Sequence, residues 1–241
     1  LELFDPYESK TCPSFTINAI ESLEETVKIL PEDLHICGLS WGPISTAGYI
    51  MGAENLMMAM LMEPELAQSL ITKITPLVAD MHKRMIDAGA TVMWMADPTS
   101  SEDLISPDMF AEFSAPHITE VISKVKEHEK VPTFVHICGN TLETMKQLPS
   151  TGADCLSLDH AVDIAKAKHN AGKNIAIMGN LDPVGLLMRG TPESIASESR
   201  RLIDIAGQDG GFILAPGCET PQSTADENVI AMCKTAVEYT F

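Results

Sequence analysis

Three side chains in this sequence are of the types that hold a transition metal: His136, Cys138 and, much later in the chain, Cys218. The stretch Val131–Asn140 reads VPTFVHICGN, a β-branched and aromatic run that breaks at Gly139. Such a run is a buried strand ending in a turn. Side chains two apart on a strand face the same way, so His136 and Cys138 can address one point in space. Gly217-Cys218-Glu219 follows another apolar run, Gly211–Ala215, and can bring a second sulfur to the same rim. A Cys₂His set leaves the fourth position of a tetrahedral zinc open for water or substrate, as catalytic sites do. The alternative is a buried histidine with two inert core cysteines, because motifs this short recur by chance.

The chain carries its own control. The tetrapeptide HICG occurs at 35–38 as well as at 136–139. The earlier copy, with His35 and Cys37, runs into the bulky LSWGP loop and reads as a packed strand end. Cys12, Cys155 and Cys233 read as inert thiols in a loop, a strand and a helix face. Asp97, Asp159, His160, Asn180 and Asp182 each close another strand. Singly, such residues cap the next helix. As a set around one rim they line a pocket, and Asp97, Asp159, Asn180 and Asp182 are the expected substrate contacts. Glu219 is a fourth ligand, a partner of one, or an acidic charge at a helix start. Arg189 is a weak anion contact, and the fourteen methionines are core filler. The sequence holds no GxxxxGK[ST], no GxGxxG after a strand and no GxSxG, so nucleotide, dinucleotide and serine-hydrolase chemistry lack their usual support.

The elements that must position these residues alternate. Helices are expected over 17–30, 55–62, 64–88, 107–125 (interrupted at Pro116), from Thr141, and over 162–171, 192–206 and 224–239. Strands are expected over 34–37, 91–95, 131–137, 155–158, 175–178 and 211–215, and residues 1–13 read as irregular. Strand and helix alternate six times without successive hairpins, the pattern of a parallel α/β fold. Polar or metal-type residues at nearly every strand's C-terminal end favour a (β/α)8 TIM-type barrel over an open sheet. Six strands are two short of eight, so the N-terminal units are expected to be absent or the barrel irregular.

A chain of 241 residues can bury a large core and is expected to form one barrel domain. Sixteen basic residues against thirty-four acidic ones leave a formal charge of −18, which argues against nucleic acid or an anionic membrane as partner. A small anion held by a helix N-terminus stays compatible. No apolar run approaches the roughly 20 residues that span a bilayer. The chain opens LELFDPYESK, without an initiator Met or a leader pattern. Six cysteines in no secreted-scaffold spacing point to a reducing cytoplasm.

With HICGN, GNLDP and FILAPGCE in hand, the chain resembles the uroporphyrinogen decarboxylase superfamily along nearly its whole length. More narrowly it is similar to the zinc-dependent methylcobamide:coenzyme M methyltransferases of methylotrophic methanogens. The specific part is H-x-C followed much later by G-C, which the decarboxylases proper do not carry. The resemblance implies one zinc per chain on His136, Cys138 and Cys218, a distorted barrel of greater length, and a missing N-terminal portion. It also implies transfer of a methyl group from a methylated corrinoid, carried by a separate protein, to the thiol of coenzyme M. Two other readings stay open: metal-free decarboxylation of a porphyrinogen, with Asp97 at the pyrrole N–H groups, and a non-catalytic domain that binds a corrinoid protein.

Overall fold

The computed structural model describes residues 14–31 and 33–240. The irregular segment expected over 1–13, and Cys12 with it, lies outside the described residues. Helix α1 (Ser14–Ile29) precedes strand β1 (Cys37–Trp41), and α2 (Pro43–Met51), α3 (Ala53–Met62) and α4 (Pro64–Asp87) follow. Strand β2 (Val92–Ala96) leads through the single turn α5 (Pro107–Met109) to α6 (Ala115–His128) and β3 (Thr133–Ile137). The chain then alternates β4 (Cys155–Leu158), α7 (Ile164–Ala171), β5 (Ala176–Leu181), α8 (Pro192–Ala206), β6 (Phe212–Pro216) and α9 (Asp226–Glu238).

The six strands form one parallel sheet in sequence order, β1 to β6. This is the strand order of a (β/α)8 TIM-type barrel, of which the described residues supply six strands. Register sets Trp41, Ala96, His136, Ser157 and Met178 in one row across the sheet. The opposite face, with Met93, Met95, Val135, Ile137, Leu156 and Ile177, is buried. It packs into one core with Ile71, Ile74 and Val78 of α4 and Ile118, Val121 and Val125 of α6. Each such side chain contributes on the order of 2 kcal/mol when fully buried. The helices can cover only one face, so the rowed residues are left facing the concave side.

Four expectations are corrected. β1 spans 37–41 rather than 34–37, because Gly38 does not break it. A Cβ there would meet Met85 Cβ at 2.9 Å, so the glycine is what lets α4 lie close against the strand. The segment read as a loop after Trp41 is the helix α2, whose first N–H groups are capped from a distance: Ile44 and Ser45 donate to the Asp97 carboxylate. In place of the helix expected from Thr141 there are 3₁₀ turns, Thr144–Lys146 and Leu148–Thr151. There the Glu102 carboxylate accepts from the N–H groups of Glu143 and Thr144, and Pro149 has no N–H to give. β5 continues past Met178 to Leu181 because Gly179, Asn180 and Leu181 keep pairing with Leu214, Ala215 and Pro216 of β6. The interruption expected near Pro116 is present as a π-type turn over Phe110–Ser114, a wider coil that accommodates the proline's missing donor. Among the described residues, no helix is long and apolar enough to cross a membrane.

Candidate metal centre

β3 ends at Ile137, and Cys138 is the first residue beyond it. Gly139 then takes a left-handed φ of 73°, and a Cβ there would strike the side chains of Asp103 and Ser101. A glycine is therefore required for the turn that leaves the Cys138 sulfur beside its own strand. Gly217 does the equivalent for β6. It donates to Leu181 O at 2.7 Å and lies so close to the His160 backbone that no side chain fits, which sets Cys218 at the same rim.

His136 Nε2 lies 3.2 Å from Cys138 Sγ, and Cys138 Sγ lies 3.8 Å from Cys218 Sγ. All three donor atoms fall within 4.8 Å of one another. Zinc bound tetrahedrally at about 2.3 Å to sulfur and 2.0 Å to nitrogen would separate two sulfurs by about 3.8 Å and sulfur from nitrogen by about 3.5 Å. The spacings from Cys138 to His136 and to Cys218 match zinc, and the third pair, His136 to Cys218, lies within 4.8 Å. His136 Nδ1 faces Ser157 O at 3.2 Å and Ser157 Oγ at 3.1 Å. Donation from Nδ1–H to the carbonyl leaves the Nε2 lone pair free to point at the sulfurs, the tautomer a metal needs.

Electrostatics favour the same occupant. Burial pulls the His136 imidazole below its ordinary range, which keeps it neutral and able to donate a lone pair. Burial first, and the neighbouring Cys218 sulfur second, push the Cys138 thiol up to about 12. That sulfur ionises near neutral pH only if a cation stands beside it.

The three donors open into a cavity of about 370 Å³ whose wall is largely apolar: Leu39, Trp41, Trp94, Pro98 and Met178. Glu219 reaches it beside Cys218. The sequence alone places Trp41 in a loop after β1. The corrected register of β1 turns it into the cavity in line with His136. Ser157 was missed as well, since only the pairing of β3 with β4 reveals that it faces the imidazole.

The other rim residues are turned toward backbone. Asp97 is fully buried, accepts from Ile44, Ser45 and Ser100, and has its carboxyl pushed up by burial. Asp159 accepts from the N–H groups of Gly139 and Ala161. Asn180 Nδ2 donates to the carbonyls of Asp159 and Val162, and Asp182 accepts from the N–H groups of Val184 and Gly185. Asn180 and Asp182 border a second, larger cavity of about 770 Å³ between α7 and α8, which holds neither sulfur. The three donors line the smaller one.

Comparison with known proteins adds a family to this geometry. A sequence model of the uroporphyrinogen decarboxylase (URO-D) family matches residues 1–239. The chain is 33% identical over 221 residues to a methylcobamide:CoM methyltransferase, MtbA, of Methanosarcina acetivorans. That match covers 90% of this chain and 63% of the relative, so the chain spans less than two thirds of that relative's length. It is 32% identical over 218 residues to uroporphyrinogen decarboxylase 2, chloroplastic, of Oryza sativa, covering 85% of this chain and 54% of that one. Among solved structures, a methyltransferase from Methanosarcina mazei superposes with a TM-score of 0.84 at 27% identity, over 91% of this chain and 63% of the other.

Proposed function

The chain belongs to the uroporphyrinogen decarboxylase (URO-D) family, and from that premise we propose that it is a zinc-dependent methyltransferase moving a methyl group from a methylated corrinoid to the thiol of coenzyme M. Family relatives are enzymes, methyltransferases or decarboxylases. The observation that carries the first reading over the second is the convergence of His136 Nε2, Cys138 Sγ and Cys218 Sγ within 4.8 Å at an apolar cavity.

When bound to these three residues, zinc would supply the charge that keeps an acceptor thiol ionised at neutral pH, while two cysteine sulfurs keep it electron-rich. The protein's own residues do the rest. Ser157 holds the imidazole in its tautomer and plane. Leu39, Trp41 and Trp94 give the reacting sulfur an apolar wall on one side, where it is poorly solvated and a stronger nucleophile. The new bond is between that sulfur and the methyl carbon, the cobalt–carbon bond breaks with its electron pair left on cobalt, and the thiol proton goes to solvent. Among the described residues the cavity wall carries no lysine or arginine. We place the methylated corrinoid on a separate protein that docks over the mouth of the cavity, and the reaction in a reducing cytoplasm, within one barrel domain.

Decarboxylation is the second reading, and an aspartate at the rim would have to serve it. Asp97, with its oxygens turned to α2 and Ser100, gives that reading no support. The test is metal analysis with a thiol-methylation assay, using methylcobalamin as donor, on the wild type and on Cys218→Ser. About one equivalent of zinc in the wild type, lost together with methyl transfer in Cys218→Ser, is the expected result. Full zinc content in Cys218→Ser overturns the metal centre. Full zinc in the wild type without methylation of any thiol leaves a corrinoid-protein-binding role instead.

A further inference from the structure

Asp159 closes β4 and is 7% exposed. One of its carboxylate oxygens accepts from the N–H of Gly139 at 2.9 Å, the peptide that follows Cys138. The other accepts from the N–H of Ala161 at 2.9 Å and lies 2.9 Å from His160 Nδ1. On the far side, the backbone of His160 is the surface against which Gly217 packs, and Gly217 is joined directly to Cys218. The dipeptide Asp159-His160 therefore touches, one covalent step away in each case, both residues that carry the sulfurs.

A helix cap is the ordinary job of an aspartate in this place, and α7 does not need one from it. Asp163 already caps α7, accepting from Ala165 and Lys166. Asp159 instead reaches across to a different strand's loop. It is fixed in turn by Asn180, whose amide donates to the Asp159 carbonyl at 2.9 Å and to that of Val162 at 2.7 Å. The loops after β3, β4 and β6 and the end of strand β5 are thus joined through one carboxylate and the turn it organises. The quantity this arrangement fixes is the distance between the sulfurs, 3.8 Å.

We propose that Asp159 is a positioning residue that sets the bite of the two cysteines on the cation. This inference rests on the metal reading above and goes beyond it. Asp159 is no ligand here, since its oxygens are occupied by N–H groups and His160. Replacement by asparagine keeps its size but turns an NH₂ toward one of those donors, which loosens one arm of the clamp.

The test uses the full chain loaded with Co²⁺, whose thiolate-to-metal absorption and ligand-field bands report donor geometry directly. A competing chromophoric chelator measures affinity. Asp159→Asn is expected to bind the ion about 10- to 100-fold more weakly, the usual effect of losing an outer hydrogen bond at a metal site, with a shifted and weakened thiolate band. Gly217→Ala, which presses a methyl group on His160 from the other side, is expected to do the same. It stands in if the asparagine variant does not fold. Asp163→Asn, which removes only the α7 cap, is expected to lower thermal stability and leave the spectrum unchanged. Wild-type affinity and spectrum in a folded Asp159→Asn or Gly217→Ala protein overturn the clamp. Cys138→Ser separates the two levels: ion loss in that variant alone overturns the clamp and keeps the centre, whereas no ion loss in it overturns the centre and the clamp together.

Discussion

The tetrapeptide His-Ile-Cys-Gly occurs twice, and the two copies lie at opposite ends of their strands. At 136–139 the histidine is inside β3, in the row with Trp41, and the cysteine follows the strand's last residue. At 35–38 the cysteine is the first residue of β1, four positions before Trp41. At about 3.3 Å per residue the two cysteines therefore differ by well over 10 Å along the strand direction. Among the described residues, the imidazole of the first copy faces Thr91, whose hydroxyl lies 3.3 Å from His35 Nδ1. The second finds Ser157 behind its imidazole and the Cys218 sulfur in front. Identical residues at identical spacing meet another sulfur or a lone hydroxyl according to which end of the sheet they occupy.

The largest effect that can break this comparison is at sulfur. Cys138→Ser is expected to weaken zinc binding by more than about 100-fold and to abolish thiol methylation, since it removes a ligand outright. Cys37→Ser is expected to leave metal content and turnover at wild-type values. Metal analysis and the methylation assay on the two proteins decide it, and equal losses would erase the distinction drawn between the copies.

A third histidine sharpens the comparison by having no hydrogen-bond partner among the described residues. His82 of α4 is buried, neither ring nitrogen has a hydrogen-bond partner, and burial lowers its pKa from 6.5 to about 4. Its folded-state pKa lies below the unfolded one, so the unfolded chain binds the proton more tightly. The stability it allows is complete above pH 6.5, and falls as pH drops toward 4 by about 3 kcal/mol, at 1.36 kcal/mol per unit. Urea unfolding of the wild type and His82→Leu at pH 7 and pH 4.5 measures it. A substitution that leaves the pH slope unchanged would show that the slope arises elsewhere.

The smallest effect concerns the partners. Ser157→Ala removes the hydroxyl but not the carbonyl behind His136, and is expected to weaken zinc binding about tenfold. Thr91→Val does the corresponding damage at His35 and is expected to change nothing in metal titrations. Similar shifts in both would mean that partner hydrogen bonds do not orient the ligand.

Strands β2, β3, β4 and β6 were legible within a residue or two because their short apolar runs sit between Gly, Pro and polar breaks. β1 was not, because Gly38 has the look of a terminator. Its reason for being glycine, the approach of Met85 and Ala90 from α4, is a contact between distant segments. α2 escaped for a similar cause: its cap is Asp97, more than fifty residues on. The three donors could be named from residue type and strand position. Ser157 and Trp41 could not, because each enters the site only through the register of a neighbouring strand. The rim aspartates show the opposite failure. Asp97, Asp159 and Asp182 stand where substrate contacts are expected, and what they hold is backbone.

The two sulfurs approach across 80 residues of chain. Any ion that joins them doubles as a staple around β4, α7, β5, α8 and β6. A crosslink enclosing a segment of that length takes on the order of 4 kcal/mol of freedom from the unfolded polypeptide. Metal scarcity would then strike twice, silencing the chemistry and shortening the survival of the molecule that performs it.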